Sequence, residues 1–296
     1  MAEHQSATPA AHMSADVTDA SVSGPMRTAD ANRIFYADHA AVYDSHEHCV
    51  AHDGPRELLE GILIRAVAAG PSPKPRTLDA CGGTGNVSEL LAPRGIETTV
   101  ADVSPAMLAR WCEKAATLGV AAETIEGEID AFLATDGRAW ELIVFSSALH
   151  HLDNYVEVVG LAADRLAPGG VLVTAFDPIH TADSATHRLR RFDYLLSLVV
   201  EPRALAAALG RKLERRSEGG PNVGDLAEKH ALKGIDDGLI AETLRARGLE
   251  ILEHRRYACQ RFRITERLIR AMRRTTTFHL IARKRRASPP TSTVSE

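Results

Sequence analysis

Apolar and polar positions along this chain follow two rhythms. From residue 31 to 69 the apolar positions fall at helical spacing, with Leu58, Leu59, Ile62 and Leu63 forming one stripe, and Pro71 to Pro75 break the run. Short β-type segments then recur at Arg76–Ala80, Glu97–Ala101, Ala122–Glu126, Leu142–Ser146 and Val171–Phe176, separated by stretches of helical period. The first intervening helix is predicted at Val87–Ala92. The second opens at Ser104-Pro105, with Ser104 as N-cap and Pro105 at the first position, and keeps Met107, Leu108, Trp111 and Cys112 in period. Ala167-Pro168-Gly169-Gly170 is a turn that stops the helix before the fifth strand. Two later strands, Leu249–Ala258 and Thr275–Lys284, follow a helix ending at Gly248. This alternation predicts one α/β domain built on a doubly wound, mostly parallel sheet.

Composition trims the ends. Residues 1–30 are rich in Ala, Ser, Thr and Asp and poor in large apolar side chains, and 287–296 are similar, so both are expected to be disordered tails. Residues 31–286, about 255 in all, suffice for one large domain, with 31–70 as a helical arm and 177–235 as an inserted lid. No signal pattern opens the chain and no apolar run reaches the roughly 18 to 20 residues that span a bilayer, so no transmembrane segment is expected. Four cysteines, Cys49, Cys81, Cys112 and Cys259, lie far apart without a CxxC pair, which fits a reducing, cytoplasmic setting. His46-Glu47-His48-Cys49 lacks a second cluster to complete a metal site, so no metal is expected. Charge is uneven: residues 251–286 carry twelve Arg or Lys against two Glu, whereas the first sixty carry ten acids against three arginines.

The candidate chemistry lies between residues 77 and 102. Thr77-Leu-Asp-Ala-Cys-Gly-Gly-Thr-Gly-Asn86 reads as a strand entering a glycine-rich turn that opens a helix, and Asp102 ends the next strand. Bare backbone lets a ligand approach, and a carboxylate at that distance accepts from ribose hydroxyls, so a nucleoside-bearing cofactor is predicted. A nicotinamide dinucleotide would want a third glycine three positions after the second. Counting Gly83 and Gly85 as the first two, that slot holds Ser88, which argues against it.

Six ordered segments resemble the class I S-adenosylmethionine-dependent methyltransferases, in their small-molecule, type 11/12-like form. They are Leu78–Gly85, Val100–Leu108, Gly127-Glu128-Ile129, Leu142–Leu152, Arg165–Gly170 and Phe278–Lys284. Cys81 stands where the family has its first glycine, and Glu141 replaces the usual Asp before the fourth strand. The resemblance implies a Rossmann-like sheet of seven strands, the last antiparallel, with helical lid insertions, and S-adenosyl-L-methionine as cofactor. It implies that Asp79, Cys81, Gly83, Gly85, Asp102, Val103, Glu128, Ile129 and Ser146 bind that cofactor, with Phe145 beside Ser146. In this reading Asp79 orients the amino-acid half, a Cβ at Gly83 or Gly85 would collide with the ligand, and Asp102 takes the ribose. Glu128 takes the adenine amine and Ile129 packs on the ring, with Asp130 as competitor for the amine.

An imidazole titrating near its ordinary value of about 6.5 can take a proton from an acceptor. His151, assisted by Asp177, is the catalytic candidate; the alternative is that His150 and His151 start a helix and shape the pocket. Methyl transfer gains most from alignment of the reactants, so a base is optional. Three additions are expected to converge on the carboxyl edge of the sheet: the Tyr36/Tyr43 arm, the insertion, and the basic amphipathic segment 261–274 with Ile264, Leu268 and Met272. Those apolar side chains read mostly as core. The basic charge beside them points to a small acidic or amphipathic acceptor and to peripheral contact with a membrane surface. A nucleic-acid substrate is not expected, because Phe145-Ser-Ser-Ala148 lacks the Asn/Asp-Pro-Pro-aromatic run of amino-methylating DNA enzymes and no RNA-binding module is present.

Overall fold

The computed structural model describes residues 26–181, 183–200, 223 and 233–286. Most of the N-terminal tail, the C-terminal tail and the middle of the 177–235 insertion lie outside the described residues, as do the side chains of His46, His48 and Cys49. Helix α1 (Thr28–His39) starts inside the segment expected to be tail, so the ordered arm begins earlier than composition implies. The rest of the arm is two short turns, α2 (Tyr43–His46) and α3 (His48–Ala51), and the long α4 (Asp53–Ala69).

Seven strands follow: β1 (Thr77–Ala80), β2 (Thr98–Asp102), β3 (Glu123–Glu126), β4 (Trp140–Ser146), β5 (Leu166–Pro178), β6 (Leu249–Tyr257) and β7 (Thr277–Lys284). They form one sheet in the order β3-β2-β1-β4-β5-β7-β6, parallel throughout except for β7, which runs antiparallel to both neighbours. Asp177 therefore lies within β5, which also takes in the Ala167–Gly170 turn.

Alternation along each strand sends side chains to two layers. On β4, Leu142 and Val144 pack with Leu59, Ile62 and Leu63 of α4 and with Val87, Leu90 and Leu91 of α5 (Asn86–Leu91). Ile143 and Phe145 face the other way, against Leu133 of α7 (Ile129–Thr135), Val158, Val159 and Ala162 of α8 (Tyr155–Arg165) and Leu244 near the second half of the chain. Phe145 is thus fully buried core rather than a wall of the cofactor site. Trp111 of α6 (Pro105–Leu118) packs with Val100 beneath β2.

The remaining helices with bounds among the described residues are α9 (Ser184–Val200), α10 (Asp237–Ala246) and α11 (Arg263–Ala271). Asp193 of α9 accepts from the backbone N–H groups of Arg261 (3.2 Å) and Phe262 (3.3 Å), and the Thr265 hydroxyl donates to it, so α11 is tied down at its N-terminus. The anticipated core stripe on α11 faces outward. Ile264, Leu268 and Met272 are exposed, while Thr265 and Ile269 are buried. Spacing marks an apolar face but not which neighbour, if any, covers it. Among the described residues, no helix is long and apolar enough to cross a membrane.

Candidate functional site

A cavity of about 650 Å³ lies at the carboxyl ends of β1, β2 and β4, within the size range of small-molecule sites. This is where an open parallel sheet places its ligands. Of the described residues, its walls come from the sheet edge on one side and from the N-terminal arm on the other.

The sheet wall is built by the turn after β1. Gly82 N–H donates to Ala101 O (3.1 Å), Gly83 N–H to the Asp102 carboxylate (2.9 Å) and Gly85 N–H to Gly82 O (2.8 Å), so the loop is pinned to β2. The second Asp102 oxygen accepts from Ser104 N–H at 2.8 Å. Ser104 occupies the N-cap with Pro105 at the first helical position, as expected, but its hydroxyl makes no cap bond, so the position is filled without the side-chain contact. Both oxygens of Asp102 keep further lone pairs for a ligand.

Two side chains adopt the left-handed backbone region at the cavity, Cys81 (φ 54°) and Ser147 (φ 53°). Such conformations cost on the order of 1–3 kcal/mol for a non-glycine residue and gather at functional sites. Gly83 (φ 55°) lines the cavity with its Cα side near Met107, whose Cε would stand 3.0 Å from an added Cβ. Gly85 (φ 73°) has a different reason. A Cβ there would stand 2.3 Å from the Trp111 ring, and Gly85 does not line the cavity, so it serves loop-on-helix packing rather than ligand access.

Burial governs the acids of this wall. Asp79 is nearly inaccessible and Asp102 half-buried; removal from water pushes each carboxyl up to about 6, against hydrogen bonds from Ser88 to Asp79 and from Ser104 and Gly83 to Asp102. Burial, reinforced by surrounding carboxylates, holds the Cys81 thiol well above its usual range, so it is no nucleophile at neutral pH.

Val103, Ile129 and Ser146 line the cavity with Asp79 and Cys81. Glu128 does too, with its carboxylate gripped by Arg27 at 2.5 Å, a contact the sequence does not announce. Asp130 also faces in, accepting from Asn154 at 3.0 Å.

The histidine pair divides. In a 3₁₀ turn successive residues point about 120° apart. In the turn Leu149–His151, His150 accordingly faces the sheet and His151 the cavity. Asp177 is fully buried, and its Oδ1 meets His150 Nδ1 at 2.8 Å and accepts from His150 N–H at 3.1 Å. The expected assistance of His151 by Asp177 is thereby overturned. His151 Nε2 instead meets the Tyr36 hydroxyl at 3.0 Å, and the His151 carbonyl accepts from Asn32 at 3.2 Å.

The arm thus closes on the site through Arg27, Thr28 (2.6 Å to Asp153), Asn32 and Tyr36, and Asp44 is bonded to Thr84 at 2.5 Å. Tyr36 and Tyr43 reach the cavity as expected, whereas no described residue of 177–200, 233–235 or 260–274 lines it. The premise for an acidic acceptor, basic charge at the site, therefore fails for these residues. Asn32 and Asn86 were not anticipated as lining residues; Asn86 sits at the end of the glycine motif, while Asn32 carries no local signal.

Whether a nucleoside sulfonium fits is answered by the wall itself. The buried Ser146 Oγ and Asn86 Oδ1, both lining the cavity, have no hydrogen-bond partner among the described residues. Beside them stand the Asp102 and Asp79 carboxylates and open backbone at Gly82 and Gly83. Acceptors without donors, next to carboxylates, suit a ligand that brings hydroxyl and ammonium donors and positive charge.

Residues 77–170 match the family model described as a methyltransferase domain. A trans-aconitate 2-methyltransferase of Streptomyces avermitilis is 36% identical over 137 residues, covering 44% of this chain and 48% of the relative. The chain thus spans about half the length of that curated relative. Among solved structures, the cyclase SpnF is similar with a TM-score of 0.59 at 15% identity, over 88% of this chain and 97% of the other. The N-methyltransferase NodS from Bradyrhizobium japonicum, solved with S-adenosyl-L-homocysteine, gives 0.52 at 16% identity, over 86% and 98%. At such identities the solved structures establish a shared fold.

Proposed function

We propose, for a chain that carries a class I S-adenosylmethionine-dependent methyltransferase domain, that the protein transfers a methyl group from S-adenosyl-L-methionine to an O, N or C atom of a small molecule. The observation that carries this reading is the half-buried Asp102 carboxylate at the end of β2, fixed by Gly83 and Ser104 and facing a cavity floored by the glycine turn.

When bound, the cofactor supplies a sulfonium-activated methyl group. Asp102 accepts from the ribose hydroxyls and Asp79 carries negative charge towards the amino-acid half. Ile129 and Val103 give the adenine an apolar bed, with Glu128 and Asp130 at its edge. Gly83 and Cys81 offer backbone, and Ser146 a hydroxyl, to the methionine portion. Gly85 contributes by seating the loop on Trp111. His151 faces the acceptor side and, bonded to Tyr36, can hold or take a proton there. Asp177 acts one step back, fixing His150 and with it the turn that presents His151. The larger part of the rate comes from aligned, water-excluded reactants, and the arm closing over the sheet wall provides that enclosure.

The domain assignment follows the same reading: 31–286 as catalytic domain, extended by Arg27 to Asp30, with the insertion as lid. A cytoplasmic location accords with three free cysteines and no spanning helix among the described residues. Peripheral contact with an anionic membrane surface is supported by the outward apolar stripe of α11 beside Arg267 and Arg270.

Methyl-labelled cofactor tests the proposal when incubated with the full chain and a metabolite panel that includes trans-aconitate, the acid for which the Streptomyces relative is named. Labelled product that requires both protein and acceptor is the expected result. Turnover of an acceptor without label transfer would replace it with a cofactor-binding protein of another activity.

A further inference from the structure

The arm side of the cavity carries recognition chemistry of its own. Tyr36, Tyr43 and His151 form a corner of rings: the Tyr36 and Tyr43 centroids are 6.0 Å apart at 75°, and those of Tyr36 and His151 are 5.4 Å apart at 83°. All three line the cavity, and an aromatic face open to a site attracts a cation, the contact by which alkylammonium groups are held. Glu47 and Asp153 line the same cavity. Of the six carboxylates among its described lining residues, Asp79, Asp102, Glu128 and Asp130 belong to the cofactor side, which leaves Glu47 and Asp153 on the arm side, where the one guanidinium, Arg27, is engaged by Glu128.

A second observation points the same way. Asn32 is 6% exposed and lines the cavity; its amide N–H donates to the His151 carbonyl, which leaves Oδ1 buried without a donor among the described residues. A buried carbonyl oxygen of this kind calls for an N–H or O–H from a ligand. A carboxylate ligand could supply neither a donor nor a charge that this wall accepts.

We infer that the methyl acceptor is a small aliphatic amine, bound as its ammonium in the Tyr36–Tyr43–His151 corner with Glu47 as counter-charge and Asn32 Oδ1 as N–H acceptor. The inference rests on the methyl-transfer reading above and names its substrate class. The ammonium gives one proton to the Tyr36 oxygen while the Tyr36 hydroxyl proton passes to His151 Nε2 across their 3.0 Å contact, and the imidazolium later releases it to water. The freed nitrogen lone pair forms the N–CH₃ bond as the methyl carbon's bond to sulfur breaks. That electron pair stays on sulfur as a neutral thioether, and one proton is released per methyl transferred.

The test uses the full chain saturated with S-adenosyl-L-homocysteine and two probes of matched length, n-hexylammonium and hexanoate, titrated by calorimetry at fixed ionic strength. The ammonium is expected to bind at least about tenfold more tightly than the carboxylate, a contrast that cation–π and ion-pair contacts in a partly dry site support. Glu47→Gln should narrow that ratio about fivefold without changing the affinity for S-adenosyl-L-homocysteine, and Tyr43→Leu should do the same by removing a ring. Hexanoate binding as tightly as hexylammonium, or neither probe binding the loaded protein, would overturn the amine assignment and leave the methyl-transfer reading intact. Failure to bind S-adenosyl-L-homocysteine at all would instead remove the reading on which it stands.

Discussion

The two walls of the cavity are held by different means. The sheet wall is fixed by backbone: the turn after β1 donates into β2 and onto Asp102, and the glycine at 85 is locked by the Trp111 ring. The arm wall is held to the rest of the molecule at side chains: Arg27 on Glu128, Thr28 on Asp153, Tyr36 on His151 and Asp44 on Thr84. A backbone-built wall is one conformation, set when the sheet forms. These contacts range from the exposed Arg27–Glu128 ion pair, of a kind that contributes little, to the buried Asn32 amide on the His151 carbonyl. Under the proposed function, the constant partner, the cofactor, would lie against the backbone-built wall and the variable partner, the acceptor, against the wall docked through side chains.

Substitutions can break this division. The largest effect is expected at Asp102. Two charge-assisted bonds at roughly 1.5–3 kcal/mol each imply that Asp102→Ala weakens cofactor binding at least about 100-fold, measured by calorimetry. Unchanged affinity would remove the sheet wall from the cofactor site. Gly85→Ala is next, placing a Cβ in the Trp111 ring on a left-handed backbone. A loss of about 2–4 kcal/mol, read as a drop of several degrees in unfolding temperature, is the expected outcome. Tyr36→Phe, which removes the hydroxyl held by His151, should lower kcat about tenfold and leave cofactor affinity within twofold. Equal loss of kcat and cofactor affinity would mean that the arm is structural. Arg27→Ala, at an exposed pair, should change cofactor affinity by less than about threefold.

Acid sharpens the same contrast. Burial raises Asp79 and Asp102 to about 6, above the unfolded carboxyl value, so in the absence of ligand the folded state holds their protons more tightly than the unfolded chain does. Their contribution to stability is therefore full below about pH 4 and is lost as pH rises through 6. Cofactor binding has the opposite sign, because it uses the ionised carboxylates. Affinity should be flat above about pH 7 and weaken as pH falls through 6, while the stability of the empty protein gains from these two groups over the same fall.

How far the sequence could be read follows the same division. Motifs around Asp79, Gly83, Asp102 and Glu128 were legible because a backbone-built wall needs fixed residue types at fixed spacing, and the sheet order with β7 reversed followed from the family resemblance. Gly85 was legible as a turn glycine but not as a packing glycine, since only the tertiary contact with Trp111 tells the two apart. The Asp177–His150 pairing was misread because adjacent histidines look equivalent until a 3₁₀ turn separates their directions. Segment 261–274 was read as an amphipathic helix, and α11 bears that out, but periodicity gave no information on which way Ile264, Leu268 and Met272 would face. Arg27 and Asn32 lie more than a hundred residues from their partners Glu128 and His151, and nothing local marks them.

The central claim is that the glycine-turn cavity binds an adenosyl sulfonium through Asp102. Calorimetric titration of the wild-type chain with S-adenosyl-L-methionine, S-adenosyl-L-homocysteine and NAD tests it directly. The account predicts one site for the two adenosyl compounds, none for NAD, and loss of that site in Asp102→Ala. Binding of NAD in their place, or no adenosyl binding by the wild type, would contradict it.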